Sequence, residues 1–218
     1  MGHENFSEMR KAMVVSQLRT TEVEDRRVIA AMSDVAREDF VPAAQRQVAY
    51  SDRGVQIGEG RALNSPLATG RLLDAAELKA DDNVLLIGGA TGYTAALLSR
   101  LVKSVVSIEQ SGKLVTRAKK ALDGTSNVRI EKVARHADGF AEDAPYSVII
   151  IDGVVEQIPQ TLVDQLHDDG RLVAAILDSG ITRLAIGRKA GGVIGYQYFA
   201  DCGGAVLPGF DKAKSFSF

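Results

Sequence analysis

The order of apolar runs predicts an α/β domain built on a mostly parallel sheet, with helices at the N-terminal end and an antiparallel hairpin at one edge. Three observations carry this. Runs without polar alternation, such as Val84-Leu85-Leu86-Ile87 and Val148-Ile149-Ile150-Ile151, suit strands buried on both faces of a parallel sheet. Amphipathic stretches alternate with these runs, as crossover connections do. Ala190-Gly191-Gly192 separates two further strand-like runs near the end, a hairpin signal.

Each element can be justified in order. Met9, Met13, Val14 and Leu18 recur at helical spacing over Glu8–Leu18. Val28, Ile29 and Met32 continue the pattern over Asp25–Ser33, where Asp25 suits an N-cap. Pro42 disfavours helix at Val41 and closes this part. Residues 43–66, with Gly54, Gly58 and Gly60, read as irregular. Arg71–Leu78 is helical again. Strands are expected at Asn83–Ile87, Ser104–Glu109, Val128–Val133, Tyr146–Asp152, Arg171–Leu177, Ile181–Arg188 and Val193–Phe199. Helices are expected at Tyr93–Leu101, Ser111–Leu122 and Gln160–His167, the last broken by Asp168-Asp169-Gly170.

Composition bounds the function. The 218 residues suit one domain spanning 1–218, and 45% are hydrophobic. A net charge of −2 gives no bulk attraction to nucleic acid. The chain has no Trp and few aromatics to stack on bases. No apolar run approaches the roughly 20 residues that span a bilayer. The N-terminus lacks the apolar core of a signal peptide. Cys202 is the single cysteine, which points to a reducing, cytoplasmic setting. His3, His136 and His167 show no metal-ligand spacing, so no metal is expected.

The chemistry concentrates at Gly88-Gly89-Ala90-Thr91-Gly92, between the first long strand and its helix. In a doubly wound sheet, ligands bind beyond the C-terminal strand ends, where strand order reverses. Glycine there lets backbone approach a ligand, and a helix N-terminus offers free N–H groups. A dinucleotide site wants glycines at the first, third and sixth positions, which are Gly88, Ala90 and Tyr93 here. That disfavours a nicotinamide dehydrogenase. A first, third and fifth pattern gives Gly88, Ala90 and Gly92, the spacing of methyltransferases. The second strand ends in Glu109, where an acid can accept both ribose hydroxyls of an adenosine. Alone, this loop is equally well a tight turn beside a surface acid.

Further segments agree in one order. Asp25–Met32 with Arg37-Glu38-Asp39-Phe40-Val41-Pro42, Ala49-Tyr50-Ser51-Asp52, Gly60–Pro66, Val84–Leu98, Ala144-Pro145-Tyr146, Ile158-Pro159 and Gly170-Arg171-Leu172-Val173 together resemble the protein-L-isoaspartate O-methyltransferase family over roughly residues 13–189. The ending Ala205–Phe210 resembles a bacterial side branch of it. The resemblance implies a Rossmann-like class I methyltransferase fold with seven strands. Residues 1–78 would supply N-terminal helices and a substrate-side loop, and residues 79–218 the cofactor-binding α/β core. It implies S-adenosyl-L-methionine as cofactor, S-adenosyl-L-homocysteine as product, and methylation of the free carboxylate of L-isoaspartyl residues in damaged proteins or peptides. It implies catalytic positions at Asn64 and Ser65. Cofactor positions are implied at Gly88, Gly89, Ala90, Thr91, Gly92, Tyr93, Glu109, Gln110, Arg135, His136 and Asp152. The oligomeric state, monomer or homodimer, is left open.

The departures fall on those same positions. Leu86 stands where the family has an acid, Ala90 where it has the middle glycine, and Asn64 where it has a reacting-centre serine. Val133-Ala134-Arg135-His136 lacks the acid that holds the adenine amino group. Two lost charged hydrogen bonds are expected to weaken cofactor binding by about 3–6 kcal/mol. Alanine at position 90 is expected to add about 1–2 kcal/mol if a left-handed conformation is needed. Leu86 can simply enlarge the core, and Arg135 and His136 read foremost as solvated loop residues. Asp152 either replaces a lost acid or caps the following turn, the cap being slightly favoured. A non-catalytic binding or scaffold module on the same fold is the alternative function.

Overall fold

The computed structural model describes residues 5–21 and 23–212; His3 lies outside them. The Gln-Ile-Gly-Glu-Gly segment that reads as irregular forms a small antiparallel hairpin of β1 (Val55–Gly58) and β2 (Arg61–Leu63). Its turn residues Glu59 and Gly60 have φ of 56° and 68°, as a two-residue hairpin turn of this hand requires.

The main sheet has seven strands: β3 (Asn83–Ile87), β4 (Ser104–Glu109), β5 (Val128–Lys132), β6 (Tyr146–Val155), β7 (Leu166–Asp178), β8 (Ile181–Ala190) and β9 (Val193–Asp201). Their spatial order is β5-β4-β3-β6-β7-β8-β9. The first five are parallel, and β8 and β9 add antiparallel at the edge. Gly191 and Gly192, at φ 58° and 82°, make the expected turn. The Rossmann-like class I architecture is therefore the one that the sequence predicts.

Burial on both faces follows from the period of two. Val84 and Leu86 join one apolar cluster with the N-terminal helices, and Leu85 and Ile87 join another on the opposite face. Leu86 enlarges the core, completely buried. Six α-helices accompany the sheet among the described residues: α1 (Phe6–Met13), α2 (Arg26–Asp34), α3 (Pro66–Ala75), α4 (Tyr93–Leu98), α5 (Gly112–Ala121) and α6 (Gln160–Asp164). Asp25 caps α2 by accepting from the Arg27 amide. Ser111 caps α5, and Ser65 with Pro66 at the first turn starts α3 earlier than periodicity suggests.

Two expectations need correction. The helix over Glu8–Leu18 is α only to Met13 and continues as one π-type stretch, Val14–Leu18. Asp168-Asp169-Gly170 does not end a helix at His167. Instead α6 stops at Asp164, and the segment is an irregularity inside β7, between the Tyr146↔Leu166 and Val148↔Arg171 pairs. No described helix is long and apolar enough to cross a membrane.

Candidate functional site

The chain runs β3, β4, β5 outward in one direction and then returns through β6 and β7 on the other side of β3. The reversal lies between β3 and β6, so the crevice beyond their C-terminal ends is where a ligand belongs. Gly88–Gly92 leaves β3 there, Glu109 ends β4, and Asp152 lies in β6.

The sequence places free amides at the N-terminus of α4, which begins at Tyr93; the turn before it satisfies most of its own. Gly88 and Gly89 both donate to the Ile108 carbonyl (3.0 and 3.1 Å), and Gly92 donates to the Gly89 carbonyl at 2.8 Å. The Ala90 amide donates to Glu109 Oε2 at 3.1 Å. Ala90 has φ 51°, so the left-handed conformation that strains alanine is real. Ala90→Gly is expected to raise stability by about 1 kcal/mol. An unchanged or lowered denaturation midpoint would refute this.

Glu109 is fully occupied. Arg61, reaching down from β2, places Nη1 2.7 Å from Oε2. Oε1 accepts from the Gln110 amide at 2.8 Å and the Ser111 amide at 3.2 Å. Arg61 Nη2 donates to the Gly88 carbonyl at 3.2 Å, while its Nε is buried without a partner. The loop gives no local sign that Arg61 is functional, because its acid lies 48 residues further along the chain.

The other expected positions scatter. Asn64 is buried; its Nδ2 donates to Asp152 Oδ1 at 2.7 Å and its Oδ1 accepts from the Ala205 amide at 3.1 Å. Asp152 caps no turn: its second oxygen accepts from the Thr94 hydroxyl at 2.5 Å. Ser65 spends its hydroxyl on the α3 N-terminus, accepting from the Ala68 amide at 3.2 Å. Thr91 donates to the Phe40 carbonyl. The Tyr93 ring packs against Phe40 and under the Arg37 guanidinium. Gln110 donates its amide to the Ala134 carbonyl. Arg135 is exposed, as expected for a solvated loop residue.

His136 is not solvated. It is 1% exposed, and both ring nitrogens lack a well-formed hydrogen bond. Nε2 lies 3.6 Å from Glu109 Oε1. Burial lowers its pKa from 6.5 to about 4, opposed by the Glu109 charge and reinforced by Arg61. The unfolded chain therefore takes up a proton near pH 6.5 that the fold refuses until about pH 4. Stability must fall as pH drops through that window. Between pH 7 and 4 the protein is expected to lose about 1–3 kcal/mol more than its His136→Phe variant, read from denaturant midpoints. Equal losses would contradict the assignment.

The crevice itself is filled by the chain end. Ala205 and Leu207 bond the two backbone groups of Val154 at 2.8 Å each, and Val206 pairs parallel with Val154. A Cβ built on Gly88 would lie 2.9 Å from Leu207 Cδ1 and 3.1 Å from Arg61 Nη2. A Cβ on Gly153 would lie 2.8 Å from Leu207 Cβ. Leu207 and Arg61 thus occupy the space beside Gly88, at the C-terminal end of β3. A cavity of about 490 Å³ opens alongside, lined by Arg53, Gln56, Ser65, Arg71 and Gly203–Ala205.

Comparison with known proteins gives a consistent result. Residues 9–202 match the family model described as protein-L-isoaspartate(D-aspartate) O-methyltransferase. A protein-L-isoaspartate O-methyltransferase of Methanoculleus marisnigri is 39% identical over 168 residues, 77% of this chain and 76% of that protein. One from Pelobacter propionicus is 37% identical over 87% of this chain and 91% of its own length. A solved protein-L-isoaspartate O-methyltransferase superimposes with a TM-score of 0.79 at 26% identity, over 92% of this chain and 66% of that one. A Plasmodium falciparum structure in complex with S-adenosyl-L-homocysteine shares the fold, with a TM-score of 0.76 at 17% identity over 94% and 99% of the two chains.

Proposed function

The chain belongs to the protein-L-isoaspartate O-methyltransferase family, and from that premise we propose that it is an S-adenosylmethionine-dependent methyltransferase acting on the carboxylate of L-isoaspartyl residues in damaged proteins. The observation that carries this reading is Glu109. It ends β4 beside the Gly88–Gly92 turn at the point where strand order reverses, the place for an acid that accepts ribose hydroxyls.

The acceptor chemistry asks little of the protein. A carboxylate is already an anion at neutral pH and needs no strong base to become a nucleophile. The protein's task is to align it and exclude water. The 490 Å³ cavity adjoins, at Ala68 and Cys202–Gly204, the small cleft that Asn64 lines; Arg53 and Arg71 in its wall, beside Asp52 and Asp201, can pair with an anionic side chain. When bound, the cofactor supplies the electrophilic methyl group. Asn64 is positioned by Asp152 and Thr94, so its amide can hold a carboxylate oxygen only where Asp152 leaves it a hydrogen free. Cys202, a free thiol, fits a reducing, cytoplasmic setting.

The test is transfer of labelled methyl from S-adenosylmethionine to a peptide carrying one L-isoaspartyl residue. A base-labile methyl ester on that peptide, and none on its aspartyl counterpart, is the expected result. Equal labelling of both, or of neither, would remove the reading.

A further inference from the structure

We propose that residues 203–210 form a built-in strap that occupies the cofactor crevice and the reacting centre together, so that S-adenosylmethionine binds only when the strap swings out. This rests on the methyltransferase reading above. The family match ends at residue 202, and the strap begins at the next residue. It contacts both halves of the site. The Ala205 amide takes the Oδ1 of Asn64, and Leu207 fills the space over Gly88 and Gly153. Pro208 lies against the buried His136 ring, and Phe210 is 2% exposed. A single displacement would therefore uncover the Gly88 turn, His136 and Asn64.

The attachment is strong enough to hold and small enough to release. It consists of two backbone bonds to Val154, the Asn64 contact, and two buried apolar side chains, Leu207 and Phe210. Among the described residues beyond Phe210, Asp211 and Lys212 are tied at the surface, by Gln157 to the Asp211 carbonyl, by the Lys212 amide to Glu156 and by the Lys212 ammonium to Asp178. Val206, Pro208 and Gly209 face solvent. The strap leaves β9 through Gly203-Gly204, and a Cβ on Gly203 would meet nothing within 4 Å, so that position has room to act as a hinge. Leu207 and Arg61 both lie over Gly88, and a ribose entering there would compete with Arg61 for the Glu109 carboxylate. Strap and cofactor then compete for one crevice, and the apparent affinity falls by the fraction of molecules that are open.

Calorimetry with S-adenosylhomocysteine on two full-length chains tests this, the unmodified protein and Leu207→Ser/Phe210→Ser. The variant is expected to bind at least ten-fold more tightly. Equal affinity in both would overturn the strap while leaving the methyltransferase reading intact. Binding by neither, at millimolar ligand, would overturn both. A second readout does not depend on the double variant folding. In a Cys202→Ser/Leu207→Cys chain, the thiol at 207 is expected to react with a maleimide at least ten-fold faster when S-adenosylhomocysteine saturates the protein. Binding with no change in that rate would show that the strap stays in place, and the proposal would fail.

Discussion

Glu109→Ala is expected to destabilise the protein by about 3–5 kcal/mol, lowering the thermal midpoint by roughly 10 °C for a chain of this size. The side chain answers four donors at once. These are Arg61 Nη1 at 2.7 Å and the amides of Ala90, Gln110 and Ser111 at 3.1, 2.8 and 3.2 Å. Arg61 and Glu109 side chains are 6% and 3% exposed, so the mutant would leave a guanidinium in the interior without a counter-charge. An orphaned buried ion costs far more than an exposed pair contributes. Removing both partners should cost less than removing one: Arg61→Leu/Glu109→Gln is expected to recover a substantial part of the loss. The isosteric Glu109→Gln separates stability from binding. It keeps one acceptor oxygen for the amides, yet should weaken S-adenosylhomocysteine by about 10–100-fold, since charged acceptors are worth about 1.5–3 kcal/mol per bond. Differential scanning calorimetry and ligand titration read the two effects. A loss below 1 kcal/mol in Glu109→Ala would show that the four contacts do not act together.

The reach of the sequence follows from which forces are local. Buried parallel strands declare themselves, because both faces must be apolar; Val84–Ile87 and Val148–Ile151 needed nothing else. Helix caps at Asp25 and Ser111 and the Ala190-Gly191-Gly192 turn are also encoded within a few residues. The hairpin over 55–63 escaped the sequence reading. Val55 and Ile57 alternate with Gln56 up to a Glu59-Gly60 turn, but the surrounding glycines mask the period. The site is a different matter. Gly88, Gly92 and Glu109 are recognisable by spacing, whereas Arg61, His136 and Leu207 acquire their roles from partners distant in the chain. Nothing near Arg61 says that it will be buried. Nothing near Leu207 says that its two-residue apolar company, Val206 and Leu207, will divide, one facing solvent and the other filling the crevice. The same non-local pairing explains why His136 is buried rather than solvated: the chain end closes over it.

The second large effect is expected at Arg171, in the Gly170-Arg171-Leu172-Val173 segment where pairing of β7 resumes after its irregularity. Its Nη2 lies 2.6 Å from Asp82 Oδ2 and its Nη1 donates to the Glu77 carbonyl at 2.8 Å. Both side chains of the pair are 5% exposed. Asp82 also accepts from the Lys79 amide at 2.7 Å, so the pair pins the turn before β3 to the middle of the sheet. Arg171→Met preserves the apolar stem and removes the charge. It leaves the Asp82 carboxylate buried with one amide donor, and about 3–5 kcal/mol of stability should be lost. Asp82→Asn in the same chain should return part of that, because a neutral amide tolerates the same surroundings and still accepts from Lys79. This pair lies at the N-terminal end of β3, away from the Gly88 turn, so the affinity for S-adenosylhomocysteine in the folded Arg171→Met protein should stay within two-fold of the unmodified chain. Urea unfolding of the two single variants and the double closes the cycle. If the double loses as much as the sum of the singles, the residues are not coupled, and β7 is held to the β3 turn by apolar packing alone.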